Sequence, residues 1–372
     1  MARAPINGTT LTWARTALGV ELDELAKHAG VRPEAAAMWE SGDTPPTVGQ
    51  LRAIANKLER TPAFFFAPPP VETGVPAITD FRGRVGEGIP TNVLRETKRA
   101  EEYRKTFFEL AGPPENQLNL VSFDSADLEA AASALRSQLM RGWPQKRPVS
   151  PTESFNVWRE LFEQNGILVF QSTRIPMSSY RGLSVFHERY PVILINGADA
   201  ANGKIFTLFH ELGHLANRSS AVCMTLDNSA METLCNRFAA EVLMPRDLLV
   251  SYLRDEDPKN PISGVASRFG VSALAAAIRL HTLGQIDDAA VEDQRAKNDT
   301  DWQRARQVME AKVGNPPPWR LRYRDLGPTY VRTVLSALQA NRIDYINAAY
   351  MLHARVPMIE QMQQEFHRRG DA

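Results

Sequence analysis

A chain of 372 residues is long enough for two or three domains, each with its own packed core. Lysine plus arginine equals aspartate plus glutamate at 43 each, so no global field draws the molecule onto nucleic acid or an acidic membrane. Two cysteines, Cys223 and Cys235, exclude a disulfide scaffold, and no apolar run approaches the roughly 18 residues of a membrane helix. The stretch Met1–Val20 lacks the apolar core of a signal peptide, so a cytoplasmic protein is expected.

Residues 6–67 read as five short helices. Glu21 to Ala29 is amphipathic, Gly30-Val31 makes a tight turn, and Pro33 opens a helix that runs to Trp39-Glu40 before Ser41-Gly42 ends it. Pro45-Pro46-Thr47 starts the next, with Leu51, Ile54, Ala55 and Leu58 spaced as an inner face. This order, with the Trp39-Glu40-x-Gly42 turn, resembles the lambda-repressor-like (Xre/Cro) helix-turn-helix family. In such motifs the second helix reads base edges while basic side chains grip phosphates. Here that helix, Pro33 to Glu40, carries no arginine, glutamine or asparagine, and Arg32 at its mouth is the one evident donor for DNA. Asp23 stands where the family commonly has glutamine. Seven basic residues in 1–67 (Arg3, Arg15, Lys27, Arg32, Arg52, Lys57 and Arg60) are matched by seven acids, which makes protein docking at least as good an expectation as DNA binding.

Phe64-Phe65-Phe66 is expected to close the first core, and Pro68-Pro69-Pro70 to open a stiff linker. Thr91 to Leu110, Ser125 to Gly142 and Pro151 to Gln164 read as helices. The first shows the alternating charges of a solvated face, and the third turns Phe155, Trp158, Leu161 and Phe162 inward. Strands are expected at Ile167 to Gln171, Gly182 to Phe186 and Val192 to Asn196.

The stretch His210-Glu-Leu-Gly-His214 carries the chemistry. Residues four apart on a helix share a face, so both imidazoles can reach one metal, while Glu211, about 100° round, can hold water instead. A catalytic zinc needs a third protein ligand and an open position. A histidine six residues after His214 is excluded, because Ser220 stands there. The next helix, Ser229 to Met244, offers Glu232 and Glu241, nine residues apart and so on roughly opposite faces. Glu232 shares its half with Met231, Cys235, Phe238 and Val242, whereas Glu241 pairs with Arg237 on the outward half. Glu232 is therefore the expected ligand, with Asn236 one turn on as an amide that orients a ligand. Tyr180, His187, Arg237 and His281 are all candidates for polarising a scissile carbonyl, and an edge strand beside the metal helix is where an extended substrate would add to the sheet.

These motifs, with Glu232-Thr-Leu-Cys-Asn236-Arg-Phe-Ala-Ala-Glu-Val-Leu-Met-Pro245, resemble the ImmA/IrrE metallo-endopeptidases over roughly 160–290. Pro191 to Asn196 before the metal helix, and Phe269 to Leu280 after it, fit the same family. The resemblance implies zinc on His210, His214 and Glu232, with Glu211 as general base. It also implies a substrate, typically a helix-turn-helix repressor cut to release a mobile element or a stress regulon. Manganese is an alternative metal, since two histidines and a glutamate tolerate either.

Ile262 to Phe269 and Ser272 to Leu283 form a second helix pair, with Leu274, Ala277, Ile278 and Leu280 expected inside. Asp287 to Lys312 is a charged helix, 314–319 a second linker, and Pro328 to Leu338, Ile343 to His353 and Pro357 to Arg369 a small helical tail. The fold expected is mainly α with a small β-sheet: an all-α helix-turn-helix domain (1–67), a linker (68–90), an α+β zincin-like peptidase domain (91–290) and a helical region (291–372). The expected function is a zinc endopeptidase acting on a repressor-type protein, with a DNA-binding regulator whose metal site is not proteolytic as the alternative. No membrane partner is expected, and a homodimer is an option.

Overall fold

The computed structural model describes residues 2–18, 20–58, 60–69, 80–81, 91–145, 148–177, 180–219, 221–223, 230–256, 258–298 and 316–368. Four helices come first: α1 (Gly8–Ala17), α2 (Leu22–Ala29), α3 (Pro33–Ser41) and α4 (Val48–Lys57), followed by a 3-10 turn at Pro62–Phe66. Strand β1 (Asp80–Phe81), α5 (Thr91–Ala111), α6 (Leu128–Met140) and α7 (Pro151–Gln164) lead to β2 (Leu168–Ser172), β3 (Gly182–Val185) and β4 (Val192–Asn196). Then come α8 (Ala201–Ala216), β5 (Ala221–Cys223), α9 (Ala230–Leu243), α10 (Arg246–Glu256), α11 (Pro261–Phe269) and α12 (Ala273–Thr282). Helix α13 covers 288–298, and α14 (Pro318–Leu326), α15 (Pro328–Gln339), α16 (Tyr345–Met351) and α17 (Val356–Arg368) close the described chain. The mainly helical architecture with a small sheet is as expected, and among the described residues no single helix is long and apolar enough to cross a membrane.

The chain divides into two compact units: Met1–Val75 with Ile89–Gly112 and Pro318–Ala372, and Pro76–Gly88 with Pro113–Pro317. This differs from the expected boundaries, because α5 joins the first unit rather than the peptidase region, and the last four helices join it too. Side-chain chemistry shows why. Arg60 makes a two-pronged bond to Glu102 on α5 at 2.5 and 2.6 Å, Phe64 stacks on Tyr350 at 5.8 Å, and Tyr103 meets Tyr330 at 5.3 Å. Alternating charge on α5 therefore does not mean a solvated face: Glu96 and Arg99 pair with each other while buried.

Local rules build the first four helices. Asn7 accepts from the Thr10 amide at 3.2 Å to cap α1, and Gly30 and Gly42 take left-handed φ of 71° and 82° to end α2 and α3. Thr47 and Gln50 form a reciprocal cap at the start of α4. Leu11, Leu25, Ala36, Ile54, Leu58 and Phe65 fill the centre, whereas Phe66, expected inside, is 52% exposed.

The second unit is built on one sheet in the order β1-β5-β3-β4-β2. β2 runs parallel to β4 (Leu168 opposite Val192), and β3 is antiparallel to both β4 (Leu183 opposite Leu194) and β5 (Leu183 opposite Val222). Every residue of β2, β3 and β4 is buried, the pattern of a sheet covered on both faces. Neither β1 nor β5 was expected; β1 lies inside the expected linker and pairs in parallel with β5 (Asp80 opposite Ala221). Two- and three-residue strands show no alternation to read. Trp158 and Phe162 of α7 pack edge-on against Phe209 of α8 at 4.9 and 5.3 Å, so α8 is held from behind by aromatic rings. The expected start of α9 at Ser229, the linker stretch 70–76, and 299–315 lie outside the described residues.

Candidate metal centre and active site

Helix α8 is buried nearly all round: Ile205, Leu208, Phe209, Leu212 and Leu215 are at most 1% exposed. A helix without a wet face must find partners for its polar side chains. His210 and His214 turn toward α9, and Gly213 between them lets that helix come close. A Cβ at Gly213 would lie 3.1 Å from Cys235 Sγ and 3.3 Å from Phe238 Cδ1. Cys235 is thus a buried packing residue three positions beyond Glu232.

The close approach gathers three ligand atoms. His210 Nε2 lies 3.0 Å from Glu232 Oε2, His214 Nε2 lies 3.0 Å from Glu232 Oε1, and the two Nε2 atoms are 3.2 Å apart. All three residues are buried. Ligand atoms at the corners of a tetrahedron around zinc, with bonds of about 2.0–2.1 Å, stand about 3.3 Å apart. The donor set is the His2Glu of hydrolytic zinc sites, so the residues fit a zinc ion. Asn236, at the exposed side of α9, accepts from His210 Nδ1–H at 2.9 Å. With Nδ1 committed to that bond, Nε2 is the ring nitrogen that faces Glu232 and is left to take a metal.

Electrostatics agree with a cation site. Burial opposes charge on His210, but the Glu232 hydrogen bond and the Glu211 and Glu232 charges outweigh it and raise its pKa above the usual 6.5. Burial likewise works against the Glu232 carboxylate, yet hydrogen bonds from His210 and His214 hold it well below the usual carboxylate range. The carboxylate stays ionised, and the pair attracts positive charge.

Glu211 is fully buried beside this cluster and meets the sheet at Gly182, which the motif reading did not single out. A Cβ at Gly182 would stand 2.7 Å from Glu211 Oε1 and 2.5 Å from Thr207 Cγ2. Glycine at the first position of β3 is thus required by the carboxylate that crosses it. A glycine at a strand start is too common for sequence to show this.

Glu241 corrects the helical-phase argument. It is not solvated with Arg237 but 7% exposed, paired with the buried Arg279 of α12, and it accepts from the Arg246 amide at 3.0 Å. Arg279 also donates to Met244 O at 3.2 Å, so this charge pair ties α12 to the end of α9. Because Arg279 takes the inner position, Ile278, expected inside, is 43% exposed; Ala277 and Leu280 are buried as expected. Of the candidates for polarising a carbonyl, Tyr180 is fully buried, His187 half-buried after β3, and Arg237 exposed on α9. His281 is engaged with Asp288 at 2.9 Å.

In the helix-turn-helix domain, Arg32 is exposed at the N-cap of α3. Arg15 is bound to Glu40 at 2.7 and 3.1 Å, Lys57 to Glu24 at 2.5 Å, and Arg60 to Glu102. Arg3, Lys27, Arg32 and Arg52 are exposed outside those pairs, while α3 presents Glu34, Ala37 and Met38 to solvent. Three of the domain's seven basic residues are thus engaged by carboxylates rather than open to phosphates.

Comparison with known proteins agrees with the two motif readings. Residues 162–281 match the M78 peptidase model, described as an IrrE N-terminal-like domain, and residues 11–65 match a helix-turn-helix model. The chain therefore carries an IrrE-like peptidase domain together with an Xre-like helix-turn-helix domain, as the two separate resemblances implied. A solved structure described as a Mycobacterium tuberculosis transcriptional regulator aligns at 18% identity and a TM-score of 0.29, over 49% of this chain and 51% of its own. The chain thus spans about half the length of that protein. No curated protein matches the chain.

Proposed function

We propose that this protein is a zinc-dependent endopeptidase that cuts a protein partner, a helix-turn-helix repressor, and so relieves repression. The observation that carries the reading is the cluster in which His210 Nε2 and His214 Nε2, 3.2 Å apart, each lie 3.0 Å from one of the two Glu232 oxygens, buried beside Glu211. Zinc, when bound, supplies Lewis acidity toward a scissile carbonyl and toward water. The chain's own residues do the rest. His210, His214 and Glu232 hold the ion, and Asn236 orients His210. Glu211 takes the proton of the attacking water on its carboxylate and passes it to the leaving amine. Three protein ligands leave a position open, which favours catalysis over a structural role.

The partner class is supported by the helix-turn-helix domain itself, where Arg15, Lys57 and Arg60 are held in ion pairs and α3 shows an apolar and acidic face. Such a surface suits a protein of similar fold better than a phosphate backbone. The DNA-binding alternative has the helix-turn-helix match in its favour. The test is incubation with neighbouring helix-turn-helix repressors, with and without chelator, using wild type and Glu211→Gln. Cleavage by wild type, blocked by chelator and lowered at least about 10²-fold in Glu211→Gln at unchanged zinc content, is expected. Cleavage that survives Glu211→Gln would refute the mechanism.

A further inference from the structure

Helix α8 ends in a specific turn. Asn217 is its C-cap, Arg218 takes a left-handed φ of 52°, and two backbone bonds close the end: Arg218 N–H to Leu215 O and Ser219 N–H to His214 O, each at 3.0 Å. These are the paired bonds of a Schellman turn, which brings the second residue beyond the cap back over the helix's third-from-last position. That position is His214, a metal-ligand candidate. Where such turns usually place an apolar contact, this one places a hydroxyl against an imidazole: Ser219 Oγ is 3.3 Å from His214 Nδ1. The hydroxyl's own proton goes to His214 O at 3.0 Å, so its lone pairs face the ring. A hydroxyl whose proton is committed elsewhere can only accept.

We propose that Ser219 is a positioning residue for the metal, acting through His214. Accepting from Nδ1–H, it holds His214 in the form whose Nε2 lone pair faces Glu232 and His210. It does for His214 what Asn236 does for His210, so both imidazoles are oriented by neutral acceptors from different elements: α9 for one, the turn after α8 for the other. Arg218, a residue with a side chain in a conformation that favours glycine, is the backbone cost of swinging Ser219 back. Sequence alone shows no more than a serine five residues past a histidine. The inference rests on the metal site of the proposed function but not on proteolysis.

The test uses the full chain loaded with zinc and labelled with ¹⁵N-histidine. Wild type is expected to bind zinc through Nε2 of both histidines, with a ring N–H signal for each Nδ1 protected from exchange with water. Ser219→Ala should lose protection at His214 alone and Asn236→Ala at His210 alone, while Ser219→Thr, which keeps the hydroxyl, should retain it. In competition with a chromophoric chelator, Ser219→Ala should bind zinc about 10-fold more weakly, and Ser219→Thr within about threefold of wild type. Ligation of zinc through His214 Nδ1 in wild type overturns the assignment without any variant. So does a Ser219→Ala protein with unchanged zinc affinity and unchanged His214 protection. Zinc bound normally by wild type with no repressor cleaved would sink the proposed substrate and leave this inference standing; no zinc bound by wild type would sink both.

Discussion

At Gly182 the sheet touches the proposed base. The smallest side chain there must displace either Thr207 or Glu211, since the contacts would be 2.5 and 2.7 Å. A misplacement of about 1 Å in a reacting group costs about 10²-fold in rate. Gly182→Ala is therefore expected to lower kcat by that order while zinc content stays whole, which metal analysis beside a cleavage assay will show; unchanged kcat would separate Gly182 from Glu211's function. The proton balance at His210 makes a second prediction. Its raised pKa, with burial opposing and the Glu232 and Glu211 carboxylates prevailing, means that protons compete with the metal already above pH 6.5. Zinc affinity should fall as pH drops through that raised value, because a ligand imidazole must be neutral. The metal-free fold responds with the opposite sign: the charged His210–Glu232 pair contributes stability at low pH that is lost as pH rises through the folded pKa. Zinc titrations and chelated unfolding curves across pH 5–8 separate the two.

Among elements, the α8–α9 pair decides the site and the α9–α12 pair holds it. Gly213 admits α9 to within contact of α8, and Glu241 with Arg279 fastens the far end. Breaking a buried charge pair on one side leaves an uncompensated charge, at a cost of about 3 kcal/mol or more. Glu241→Gln should lower the unfolding free energy by that amount in denaturant titration, whereas a loss under about 1 kcal/mol would mean that water reaches Arg279. The case also shows how far helix phase can be read. A phase calculation distinguishes Glu232 from Glu241 as opposite faces of α9, and the structure keeps that distinction. It cannot tell that both faces are covered, since α12 arrives from 30 residues further on. The same blindness applies to α5, whose alternating charges were legible as a pattern but not as buried pairs.

For the whole molecule, the proposed metal site would link metal binding to folding. A ligand that binds only the native state stabilises it by about 4 kcal/mol at a free concentration a thousandfold above Kd. Chelation should thus lower Tm measurably, and readdition of zinc should restore it; an unchanged Tm would argue against a site formed by folding. The helix-turn-helix domain makes the complementary prediction. With Arg15, Lys57 and Arg60 held by carboxylates, random duplex should bind no better than about 10⁻⁵ M near physiological salt. A tight complex that depends on sequence, seen by fluorescence anisotropy, would restore DNA as the first domain's partner.

Residues read within one turn of helix needed nothing else. The His210–His214 spacing, the helix start at Thr47, the glycines at 30 and 42 and the inward face of α7 are local consequences of backbone geometry. The family resemblance rested on such local patterns, and both domain matches followed from them. Everything that depends on a second element arriving was settled in three dimensions. That includes the carboxylate opposite each arginine, the strand pair β1–β5, the glycine against Glu211, the hydroxyl over His214, and the union of α5 with the last four helices. The reason is physical: periodicity reports which side of an element is apolar, whereas the identity of what covers it is set by contacts between distant segments, which no local pattern encodes.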